Sequence, residues 1–99
     1  MAAYIIADVN VQDAQAFEEY RKTVPATLTP FGGRFMIRGG RSETLEGDWT
    51  PQRIVVLEFP DFNRARDWWA SAEYREPKAM RQRAAMTNLI VIEGYQPPV

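Results

Sequence analysis

The residues that could do chemistry in this chain are carboxylates, guanidiniums, phenols and indoles, because it contains no histidine and no cysteine. A Ser-His-Asp triad, a thiolate nucleophile, a disulfide and the usual zinc or haem ligands are thereby excluded. The candidates are Asp8, Arg38 and Arg53, with Trp49 in the polar stretch between the two arginines, and Ser71, Tyr74 and Arg81 further along. A guanidinium grips a carboxylate through two parallel hydrogen bonds, so arginines beside aromatic rings suit a small anionic or aromatic ligand. Asp8, with a pKa raised by burial, would be the available base, and Tyr74 or Arg38 could stabilise an anion. Ser71 has no base to activate its hydroxyl. Asp8, Glu46 and Asp48 lack the spacing of a metal loop, so neither a metal nor a cofactor is expected. The plainer alternative is a structural ion pair of Asp8 with Arg38 or Arg53, since charged groups are rarely buried alone.

The elements that must position these groups are marked by periodicity and punctuation. Residues 4–9, 34–38, 53–59 and 88–93 are short apolar runs rich in β-branched residues and read as strands. Asp13 is an N-cap for a helix in which Phe17, Tyr20, Val24 and Leu28 recur at helical spacing, and Pro25 should kink or restart it. Asp61 caps a second helix whose apolar stripe is Phe62, Ala65, Trp69 and Ala72, which leaves Trp68 off the stripe. Residues 73–85 continue as a shorter helical segment around Pro77. Residues 41–51 form a polar loop and 94–99 a tail. Tyr20 should find a structural hydrogen bond, and Glu93 should answer Arg21 or Arg34.

The order β-α-β-β-α-β defines an α+β, ferredoxin-like sandwich, read as a single domain over 1–99. Right-handed crossovers put both helices on one face of an antiparallel sheet. Yet strand 53–59 is apolar on both parities, with Val55, Leu57 and Phe59 on one side and Ile54 and Val56 on the other. A second copy laid across the helix-free face is the simplest cover, which predicts a homodimer through sheet faces. In this topology the first two strands run the same way and the third runs opposite. Asp8, Arg38 and Arg53 should then meet at one end of the sheet, where the Trp49 loop starts and the second helix brings Ser71, Tyr74 and Arg81.

Charge restricts the partners. Twelve basic against thirteen acidic residues give a net charge of -1, without the basic footprint of a nucleic-acid binder or of a membrane-surface helix. No apolar run approaches the roughly 20 residues of a membrane span. The start, Met1-Ala2-Ala3-Tyr4, is unlike a signal peptide, so a cytoplasmic location is expected.

The segments Ala3-Tyr4-Ile5-Ile6-Ala7-Asp8-Val9, Tyr20-Arg21 with Val24-Pro25, Gly32-Gly33-Arg34-Phe35, Arg38-Gly39-Gly40, Leu45-Glu46-Gly47-Asp48-Trp49, Val55-Val56-Leu57-Glu58-Phe59-Pro60, Ser71-Ala72-Glu73-Tyr74 and Val91-Ile92-Glu93-Gly94 occur in this order along nearly the whole chain. In them the sequence resembles the domain-of-unknown-function 1330 family. The resemblance implies a dimeric α+β barrel, in which two ferredoxin-like protomers pack sheet to sheet, and it implies no activity. Proteins sharing only that barrel include cofactor-free antibiotic-biosynthesis monooxygenases, muconolactone-isomerase-like proteins and haem-dependent chlorite dismutases. The haem branch is disfavoured, because no histidine can supply a proximal ligand. The expected function is binding of a small anionic or aromatic molecule in a cleft of the dimeric barrel. The alternatives are a cofactor-free oxygenase or isomerase, and a structural dimer module without a site.

Overall fold

The computed structural model describes residues 1–98, so Val99 of the expected tail lies outside the described residues. The chain forms β1 (Ala3–Val11), α1 (Ala14–Leu28), a 3₁₀ turn (Thr29–Phe31), β2 (Arg34–Arg38), β3 (Ile54–Phe59), α2 (Phe62–Trp69), α3 (Ala72–Ala84) and β4 (Ala85–Glu93). The four strands make one antiparallel sheet in the order β2-β3-β1-β4. This is the expected ferredoxin-like α+β fold. Two strands are longer than the sequence suggested. β1 extends to Val11, and β4 begins at Ala85 because α3 hands over to it without a loop.

Alternation along the strands sorts the sheet into two faces. Ala3, Ile5, Ala7 and Val9 of β1 and Leu57 and Phe59 of β3 point under the helices and are buried. They meet Phe17, Tyr20, Val24 and Leu28 of α1, the stripe expected at helical spacing. Gly33 lets the chain enter β2 against this core, since a Cβ there would lie 2.6 Å from the Phe59 ring. The other face carries no helix. Register places Ile37, Val56, Ile6 and Ile90 side by side across all four strands as an apolar row. Beside it Met86 is 70% exposed and Ile90 itself 55%.

Pro25 does not restart the helix: α1 runs through it from Ala14 to Leu28. Its missing N–H would have bonded the carbonyl of Arg21 one turn back. Arg38 Nη2, from the edge strand, donates to that carbonyl instead at 3.2 Å. A distant side chain thus serves the carbonyl that the absent amide leaves open.

The tryptophan pair is the reverse of the sequence reading. Trp68 is the buried one, 1% exposed, and Trp69 is 41% exposed. The expected stripe ran through to Ala72 as if the helix were continuous. In fact α2 ends at Trp69, and Ser71 caps a new helix by accepting from the Tyr74 amide at 3.1 Å. Within eight residues the buried pair is Ala65 and Trp68, and Ala72 belongs to another axis. Trp68 stacks on Tyr74 at 4.0 Å between centroids, packs on Phe59, and donates its indole N–H to Thr27 Oγ1 at 3.0 Å. Rings of this size remove roughly 150–250 Å² each from water, on the order of 4–6 kcal/mol apiece.

Candidate functional site

The helices leave a gap over the β4 side of the sheet. α2 is short, and beneath it and the last turn of α3 lie the small residues Ala85 and Thr87. The result is a cleft of about 670 Å³, within the range that holds small organic ligands. Its floor is Ile5, Leu89 and Val91, and Trp69 stands at one wall. Lys78 holds that indole in place, with its ammonium 3.8 Å from the ring centroid and donating to the Trp69 carbonyl. Exposed Asn63, Arg66 and Asp67 form the rim.

Two polar groups line this cleft with a partner missing: a counter-charge for Arg81 and a hydrogen bond for Thr87, among the described residues. Arg81 is 6% exposed, and no carboxylate among the described residues comes within salt-bridge distance of it. Its Nε donates to the Tyr74 hydroxyl at 3.3 Å, and that hydroxyl is 2.6 Å from the Tyr20 hydroxyl. The three side chains form a buried relay joining α1 to α3. Burial, and then the neighbouring phenol, push the Tyr20 hydroxyl well above its ordinary pKa, so it stays protonated. Thr87 Oγ1 is buried with no hydrogen-bond partner among the described residues. An unpaired buried guanidinium costs on the order of several kcal/mol, which an anion in the cleft would offset.

The seven candidate residues occupy three places rather than one rim. Tyr74 and Arg81 come together as described. Ser71 is a helix cap, and its hydroxyl also donates to the Trp68 carbonyl at 2.7 Å. Asp8 lies on the helix-free side of β1, where it accepts from Trp49 Nε1 at 2.9 Å and from the Gln52 and Arg53 amides. The indole bond, and after it the two amides, hold its carboxyl below the usual range. A base with a raised pKa is therefore not found at Asp8, and its expected ion pair with Arg38 or Arg53 is absent. For Arg53 the reason is alternation, since its neighbour Ile54 is the residue that pairs with Asp8, and for Arg38 it is a bulge in β2 between Phe35 and Ile37. It shifts the alternation so that Arg38 pairs with Val55 and faces α1, away from Asp8. Arg53 joins Arg38 there. Glu93 is exposed and makes no ion pair among the described residues. Arg34 instead bonds Glu58, at 2.7 Å from Nη2, and Tyr4 donates to the other carboxylate oxygen. The sequence reading missed Thr87, Trp69 and the apolar floor as cleft residues. The one available signal was a threonine at an inward position of an otherwise apolar strand.

A ferredoxin-like α+β domain with a half-apolar cleft between helices and sheet is the class that fold and site define. The chain belongs to the family known as domain of unknown function (DUF1330), whose model matches residues 2–95. Among curated proteins none matches the sequence. Solved structures share the fold. A protein of unknown function from Rhodopseudomonas palustris superposes with a TM-score of 0.76 at 20% identity, covering 97% of this chain and 84% of that one. SnoaB, a cofactor-independent oxygenase from Streptomyces nogalater, gives 0.64 at 13% identity, with 97% and 95% covered. A dimeric protein of unknown function with a ferredoxin-like fold from Bacteroides fragilis gives 0.61 at 10% identity, with 94% and 96% covered. No helix among the described residues is long and apolar enough to cross a membrane.

Proposed function

We propose that this chain binds a small organic anion in the cleft over β4. The observation that carries the reading is Arg81, a buried guanidinium facing a ligand-sized space with no carboxylate among the described residues to answer it. The anion's head would lie against Arg81 and Thr87, and its apolar body against Ile5, Leu89, Val91 and Trp69. The test is thermal-shift screening against aromatic and short-chain carboxylates. Saturable rises in melting temperature are expected for the wild type and should vanish in Arg81→Met. Val91→Trp, which fills the cleft without touching the arginine, should abolish them too. Hits that persist in both variants would refute the site.

A second copy is proposed to cover the helix-free face. The apolar row Ile37, Val56, Ile6 and Ile90 supports this, as does the fold shared with a dimeric protein. A cytoplasmic dimer is the form in which we expect the protein to work. Cofactor-free oxygenation is a second reading, favoured by the likeness in fold to SnoaB and by the relay behind Arg81, which could stabilise a substrate anion. Oxygen uptake with enolisable aromatic substrates, lost in Arg81→Met, would support it. No uptake across such a panel would leave binding alone.

A further inference from the structure

A second concentration of positive charge lies on the opposite side of the core, between α1 and the β2–β3 edge. Arg21, Arg38 and Arg53 line one small cavity there together with Phe17 and Phe35. The Arg38 guanidinium sits 4.2 Å from the Phe35 ring centroid, and that of Arg53 5.7 Å from that of Phe17. Among the described residues one carboxylate pairs with these three cations: Glu18 Oε2, 2.9 Å from Arg21 Nη1. Arg21 Nε and Arg53 Nε are buried with no hydrogen-bond partner among the described residues. Like charges held together without counterions are unstable, and burial followed by the fields of Arg21 and Arg38 pulls the Arg53 pKa down.

The position of Arg53 is also built into the backbone. Gly39 has φ 70°, and a Cβ there would lie 2.5 Å from Arg53 Cζ. Only glycine both adopts that conformation without strain and leaves room for a guanidinium against the turn. Arg53 is thus held in place by the turn, with Arg21 half-buried and Arg38 exposed beside it.

We infer that Arg21, Arg38 and Arg53 form a second anion site, separate from the cleft, that takes a compact dianion such as a phosphoryl group. Three guanidiniums against one carboxylate leave two positive charges for the ligand to balance. The cavity they border is half open, about 40 Å³, and its own walls are mostly apolar. At roughly 10–15 Å³ per water it holds only a few waters, so a compact group would sit at its mouth and any remainder would stay outside. Planar guanidinium forks suit phosphoryl oxygens.

The test is isothermal titration of the intact protein with inorganic phosphate at constant ionic strength, with acetate as the monoanionic comparator. Saturable binding of one phosphate per chain is expected, weakening as sodium chloride is raised and tighter than acetate. Arg53→Gln and Arg38→Gln should each weaken it by about tenfold or more, the loss of one charge-assisted bond. Arg38→Gln also removes the bond to α1, so Arg53→Gln, which leaves that bond intact, is the deciding variant. Arg81→Gln should leave phosphate binding unchanged. No saturable heat, undiminished affinity in Arg53→Gln, acetate binding as tightly as phosphate, or a loss confined to Arg81→Gln would each overturn the proposal. Failure of the cleft reading would show separately, as carboxylate hits that are insensitive to Arg81→Met.

Discussion

Replacing Tyr74 by phenylalanine should be far more damaging than the same change at Tyr20, although each removes one hydroxyl from one hydrogen bond between them. Tyr74 stands in the middle of the relay. Its oxygen accepts from Arg81 Nε at 3.3 Å and lies 2.6 Å from the Tyr20 hydroxyl, all of it buried. Tyr20→Phe removes an end group and leaves Tyr74 bonded to Arg81, a loss of about 1 kcal/mol, the net value of one hydrogen bond. Tyr74→Phe leaves two buried polar groups without partners, Tyr20 Oη and Arg81 Nε. Each costs about 1–3 kcal/mol, so a total of about 2–6 kcal/mol is expected. In the double variant only Arg81 Nε is stranded. The two effects should therefore fall short of additivity by about 2–4 kcal/mol. Urea unfolding followed by far-ultraviolet circular dichroism at one fixed protein concentration measures all three, the concentration being held because association would add to apparent stability. In melting temperature the difference between the single variants corresponds to roughly 5–25 °C for a domain of this size. Equal losses for the two single variants, or strict additivity, would refute the relay.

Two further outcomes can be checked directly. Ile90→Asp, which puts a charge in the middle of the apolar row, should shift the protein from dimer to monomer in sedimentation velocity; a wild type that sediments as a monomer at micromolar concentration would remove the basis for it. Asp8, held below its ordinary pKa first by the Trp49 indole, should contribute stability that is complete above the unfolded value of roughly 4 and is lost as pH falls below it through the lower folded value. The Trp49 indole proton resonance should report that loss, and a signal indifferent to acid would count against the contact.

The fold was legible because its signals are local. Asp13 and Asp61 cap the helices they were expected to cap, accepting from Ala16 N and Arg64 N. The double-sided apolarity of β3 announced a sheet with both faces to cover. The candidate site was legible only in its residue types. Asp8 and Arg38 were both read to one rim, but a single extra residue in β2 turns Arg38 to the other face, and no pattern in R-F-M-I-R marks that bulge. The exchange of Trp68 and Trp69 has a similar origin. A stripe drawn at 3.6 residues per turn is valid only while the axis continues, and the break at Ala70-Ser71 ended it. The cleft itself was invisible, because it is defined by where helices fail to meet the strands below them.

The bond from Arg38 to the carbonyl that Pro25 leaves open has a consequence for how this molecule assembles. In an isolated peptide spanning residues 14–28 that carbonyl would be left to water. In the folded chain the edge strand answers it, so the docking of β2 adds to α1 a bond that the helix cannot make with its own backbone. Secondary and tertiary order are thereby coupled at one point.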